Sequence, residues 1–108
     1  ICKWGGISEC LVVARNVLAV GLRYCPHYLG GGIGLAASAH LLSAAGGDGL
    51  LEVDVNENPL REILAGPLLP LKDGMVIIPD APGLGYIPDL NAADEFNVFH
   101  REVRIENE

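Results

Sequence analysis

"RYCPHYLGGGIGLAASAHLL", residues 23–42, decides how this chain is read. A short apolar run ends at Cys25 and is closed by Pro26, which cannot donate to a central strand ladder. His27 follows, then Gly30, Gly31 and Gly32, then a stretch in which Leu35, Ala39 and Leu42 recur at helical spacing. Strand, loop and helix in that order form one unit of an α/β fold, in which ligands gather at the carboxyl ends of the strands. His27 stands at such an end. A histidine there titrates near neutrality and can act as a general acid or base; its other use is a hydrogen bond that only steadies the loop.

Working outward, Gly5-Gly6 makes a turn and a helix is expected from Ile7-Ser8 to Val20, with Ser8 as N-cap, Ile7 and Val12 as a staple and Gly21 as stop. This helix is apolar on most of its circumference, which predicts that it is largely buried. Residues 22–25 read as a strand, residues 33–45 as a second helix stopped by Gly46-Gly47, and residues 50–54 as a second strand. Alternation puts Leu51 and Val53 on one face of that strand, and Leu50, Glu52 and Asp54 on the other. Asn58-Pro59 has the cap and first-turn chemistry of a short helix. Beyond it, Asp73-Gly74 is a turn signal, residues 75–78 and 98–105 read as strands, residues 91–96 as a short helix, and "PDAPGLGYIPD" (79–89) as a rigid loop.

The fold class expected is therefore α/β, with parallel strands, in two parts: residues 1–57 holding about two βα units, and residues 58–108 forming an irregular extension. Two parallel strands cannot cover both faces or satisfy their edges, so these units are expected to belong to a larger sheet or barrel. Residue 1 is not Met and falls inside sequence that reads as structured, as expected for a piece of a longer polypeptide.

The charge balance, 7 Lys+Arg against 14 Asp+Glu, argues against nucleic acid or an anionic membrane as partner, since either needs a basic patch. The longest apolar stretch is broken by Arg15 and Asn16 and is too short to span a bilayer. Three cysteines, an odd number without C-x-x-C spacing, fit a reducing compartment and a cytoplasmic protein. Cys2 and Cys10 are read as buried thiols. Cys25 and His27 lack a second pair of ligands at suitable spacing, so a structural zinc site is not expected. "GGGIG" matches neither a Walker loop nor a dinucleotide fingerprint, and its glycines are read as letting the loop turn beside His27.

Glu52 is the second candidate. A carboxylate among Leu50, Leu51 and Val53 is costly unless paired, and on a neighbouring strand it would face the same cavity as His27; the other reading is an exposed edge residue. Asp54, Asp80, Asp89 and Asp94 are read as turn and cap residues. Lys3 is placed at the site end if residues 1–4 close a strand.

Four motifs in order, "KWGGISE" (3–9), "PHYLGGGIGLAASAHLL" (26–42), "LLEVDVNENPLRE" (50–62) and "DGMVIIPDAPGLGY" (73–86), resemble the C-terminal part of the enolase superfamily, in its mandelate racemase and muconate lactonizing enzyme branch. The resemblance runs to about Phe96. It implies a fragment of a modified TIM barrel: residues 1–4 end the sixth strand, residues 22–25 are the seventh, residues 50–54 the eighth, and the extension returns toward an α+β capping domain. It implies a magnesium-dependent enzyme that abstracts the proton α to a carboxylate, an acid-sugar dehydratase or a racemase of the mandelate racemase type. His27 would be its general base or acid, and Glu52 would hydrogen-bond the substrate carboxylate. The resemblance puts the magnesium ligands, and an aspartate partner for the histidine, outside these residues, so the chain alone is expected to be inactive. The partners expected are a small carboxylate substrate, the remainder of the polypeptide, and further copies in a homo-oligomer. The alternative is a non-catalytic structural or interaction module derived from that fold.

Overall fold

Local chemistry places three helices, and a computed structural model describes residues 1–69 and 71–103. Helix α1 spans Gly6–Ala19. It starts earlier than expected, because Gly5 rather than Ser8 is the N-cap. Gly5 sits at φ 65°, where a side chain would also collide with Glu9. Glu9 in the first turn complements the helix dipole. The end is a Schellman motif: Gly21 donates to the Leu18 carbonyl (3.0 Å) and Leu22 to that of Val17 (3.1 Å).

Helix α2 spans Gly32–Ala45 and is the hub of the structure. Leu35, Ala36, Ser38, Ala39 and Leu41 are buried, and helix α1 packs on one side of it through Cys10 and Ala14. The expectation of a largely buried α1 is not met. Val12, Val13 and Val20 are exposed, because α1 meets a neighbour along one stripe only. Helix α3, Pro59–Leu64, has the cap expected of it: Asn58 Oδ1 accepts from the Arg61 backbone N–H at 3.2 Å, and Pro59 opens the first turn.

The predicted strands are corrected. Among the described residues neither 22–25 nor 50–54 forms a hydrogen-bonded strand, and the isolated bridge Lys72–Met75 stands in place of the strand at 75–78. That bridge closes the expected turn, with Asp73 and Gly74 both at positive φ, as a two-residue hairpin needs. Residues 91–96 form a 3-10 helix whose first N–H groups, those of Asn91 and Ala92, are accepted by Asp89. Residues 98–103 are irregular, and the end of the last predicted strand lies outside the described residues.

The two central segments nevertheless run side by side in the expected direction. Arg23 meets Asp48, Cys25 meets Leu50 and His27 meets Glu52, each pair 25 residues apart. A constant separation at every second residue is the signature of parallel, in-register segments that share a face. A Cβ at Gly49 would fall on the Tyr24 carbonyl, so the backbones approach closely. Pro26 removes one donor, and a lone parallel pair has no outer neighbours to complete its pattern, which accounts for the missing ladder.

The extension folds back on α2. Leu68 is buried against Ala36 and Ala39, with Val76, Ile78, Leu84 and Tyr86 packed around it. The radius of gyration, 15.5 Å, exceeds the roughly 13 Å of a compact domain of this length. Among the described residues no helix is long and apolar enough to cross a membrane.

Candidate active site

The parallel segments bring His27 and Glu52 together at their carboxyl ends. His27 Nδ1 lies 2.6 Å from Glu52 Oε2, and the Tyr28 backbone N–H donates to the same oxygen at 3.0 Å. A carboxylate against Nδ1 favours the tautomer protonated there, which leaves Nε2 with a lone pair that can take a proton. The second donor to Oε2 fixes the carboxylate, and the carboxylate orients the ring. Both expectations for Glu52 are thereby sharpened: it faces the histidine, and it is half-exposed rather than buried.

His27 also lines a cavity of about 220 Å³ together with Ile1, Cys2, Lys3, Tyr28 and Leu29. Lys3 is therefore at the site end, as expected, although residues 2–5 form a turn rather than the end of a strand. Cys2 is exposed, a correction to its reading as a buried thiol, whereas Cys10 is buried and its thiol donates to the Trp4 carbonyl at 3.1 Å. A larger cavity of about 610 Å³ lies between α2, Leu50, Leu51 and the hairpin residues Met75 and Val76. Among the described residues its wall holds no ionisable side chain, and it is separate from the His27 cavity.

The glycines after His27 have a different job from the one the sequence suggests. Gly31 has ordinary extended backbone, φ −71°, and Gly30, Gly32 and Gly34 are not in the left-handed region. What matters is the absence of a side chain. A Cβ at Gly30 or Gly34 would overlap the Tyr28 ring, and one at Gly32 would meet Ala65 Cα at 2.6 Å. The glycines are sites of close approach, not a phosphate cradle and not a sharp turn. Burial pushes the Tyr28 hydroxyl above its ordinary pKa, with Cys2 a further cause.

Sequence reasoning missed Tyr28 and Arg61. Arg61 is buried; its Nη2 donates to the Asn56 carbonyl and its Nη1 is 3.8 Å from Asp54 Oδ2. Asp54 caps its own turn as expected, with Oδ1 accepting from the Asn56 backbone N–H at 3.0 Å. That bond first, then the Asn56 side chain and Arg61, hold the Asp54 carboxyl below its usual range. A lone arginine in a short helix, three residues after an N-cap asparagine, was the available signal.

Residues 1–93 match the family model described as enolase C-terminal domain-like. The chain belongs to this family. It is 34% identical over 82 residues to arabinonate dehydratase of Saccharolobus solfataricus, covering 76% of this chain and 22% of that protein. It is 32% identical over 106 residues to D-galactarolactone cycloisomerase of Agrobacterium fabrum, covering 91% of this chain and 28% of that protein. The chain thus spans about a quarter of the length of the curated relatives it matches. No solved structure matches it.

Membership of this family implies an α/β-barrel fragment. Enolase-superfamily members generally use magnesium. Among the described residues no three His, Cys, Asp or Glu side chains are placed to hold a metal ion. These residues do not fit the ion by themselves.

Proposed function

We propose that the full-length protein removes the proton α to the carboxylate of an acid sugar, with His27 as the base and Glu52 as the residue that orients it. The His27–Glu52 contact of 2.6 Å at the carboxyl ends of two parallel segments carries this function. Nε2 takes the proton. The electron pair of the broken C–H bond passes into the carboxylate, and the Glu52 carboxylate stabilises the positive charge that builds on the His27 imidazole. Glu52 Oε1 can accept from a hydroxyl of the substrate while Oε2 holds His27.

The substrate class is taken from the two relatives, named for arabinonate and D-galactarolactone. Dehydration is the favoured outcome after proton removal; isomerisation without loss of water is the second reading, supported by the cycloisomerase relative. Lys3, in the cavity beside His27, supplies a cation near the substrate. The metal dependence of such a reaction falls to residues beyond those described.

The test is proton exchange. Full-length protein with magnesium is incubated in deuterated water with a panel of aldonates and aldarates, and the α-proton signal is followed by NMR. Wild type washes out the α-proton of at least one acid sugar, and His27→Asn slows this by about 10²–10⁴-fold, the contribution expected of a general base. Exchange undiminished in His27→Asn would remove His27 from the mechanism.

A further inference from the structure

The exposed pair at the mouth is held from behind by buried residues that none of this chemistry uses. Helix α3 bridges the carboxyl ends of the two segments. On one side Asn58 Nδ2 donates to the Gly30 carbonyl at 3.4 Å, three residues beyond His27, and the α3 backbone fills the space left by the missing side chain of Gly32. On the other side Arg61 reaches the turn that follows Glu52, bonding the Asn56 carbonyl and facing Asp54. The same Asn58 accepts from the Arg61 backbone, so the two halves of the bridge are one unit. Arg61 is 6% exposed and its Nη1 has no hydrogen-bond partner among the described residues. Burying a guanidinium with one nitrogen unsatisfied is costly, and the short helix does not need it to form: Asn58 and Pro59 already cap it. An arginine kept in that setting has a task beyond helix formation, and the groups it joins are the flanks of the His27–Glu52 pair.

We propose that Arg61, acting with Asn58, is a positioning residue that sets the separation of His27 and Glu52. Arg61 touches neither side chain. It holds the Asp54 carboxylate and the Asn56 backbone, two and four residues after Glu52, while Asn58 fixes the loop that leaves His27. Lys cannot replace it fully, because a point charge does not span the Asn56 carbonyl and Asp54 as a planar fork does. Only the consequence for catalysis depends on His27 being the base; the geometric claim stands on the contacts.

The experiment follows the His27 ring nitrogens by long-range proton–nitrogen NMR in full-length protein labelled with ¹⁵N-histidine, with His27→Asn assigning the signal. Wild type gives the Nδ1-protonated form with a downfield Nδ1 proton. Arg61→Met and Asn58→Ala shift His27 to the mixed tautomers of a free imidazole, and Arg61→Lys restores the wild-type signature in part. Leu68→Ala, which weakens the core away from the bridge, leaves the signature unchanged. In the exchange assay Asn58→Ala lowers kcat about 10²-fold with KM little altered, as a misplaced base would. An unchanged His27 signature in Asn58→Ala, or an equal shift in Leu68→Ala, overturns the proposal. Should Arg61→Met fail to fold, Asn58→Ala alone decides. A silent wild type in the exchange assay counts against the proposed function and leaves the ring-nitrogen result to judge the bridge by itself.

Discussion

The mouth and the back of this structure are built on opposite terms. At the mouth, His27 and Glu52 are largely open to solvent and meet through one short hydrogen bond. At the back, Gly32, Arg61, Ala65 and Leu68 are buried, and backbone touches backbone without an intervening side chain. The difference separates two duties. Under the proposed function the reacting groups need access, and the residues proposed to set their spacing are ones that never meet a substrate.

Changes at the mouth should cost activity without stability. His27→Asn, which slows the exchange described above, should leave the midpoint of denaturant unfolding of the full-length protein unchanged, because the ring contributes little buried surface. A large loss of stability would mean that the histidine is structural and would break the contrast. At the back, changes should cost stability as well. Gly32→Ala drives a methyl into the backbone of Leu64 and Ala65, which cannot swing aside as a side chain can, and should destabilise by about 3 kcal/mol, read from urea unfolding.

Tyr86→Phe should come next. The Tyr86 hydroxyl donates to the Leu64 carbonyl at 2.7 Å and pins the extension to α3; its loss should cost about 1 kcal/mol. Burial raises the Tyr86 pKa, so its neutral form is the one stabilised on folding. That contribution is complete below the ordinary tyrosine pKa of about 10 and is lost as pH rises through the folded value. Tyr86→Phe should therefore flatten the alkaline limb of the stability curve. The smallest effect is expected at the far end of the parallel segments, where Arg23 and Asp48 pair in full solvent. Asp48→Asn should leave the unfolding midpoint within error of wild type, because exposed pairs are screened and entropically costly.

The helices and their stops were legible in the sequence because their determinants are local: Gly21 and Gly46 at positive φ, Asn58 with Pro59, Asp73 with Gly74. The pairing of His27 with Glu52 was legible for another reason, since strand ends of neighbouring units meet wherever parallel segments run in register. The strands themselves were not, because a ladder depends on neighbours that propensity does not report and on a proline whose effect depends on which side it faces. The exposed flank of α1 was misread for a related reason: its apolar pattern states what the helix could bury, not what is present to cover it. The N-cap asparagine three residues earlier marks Arg61 but not its role, which lies in bridging Asp54, Asn56 and, through Asn58, Gly30. No window of sequence shows that junction.

One detail bears on how such a site can diversify. The Tyr28 ring rests across Gly30 and Gly34, committing the residue beside His27 to the helix behind it. Leu29, by contrast, is 54% exposed and lines the cavity together with residues 1–3. If His27 is the base proposed above, residue 29 and residues 1–3 can be exchanged to suit new substrates while residue 28 stays fixed, so that base and wall evolve on separate clocks.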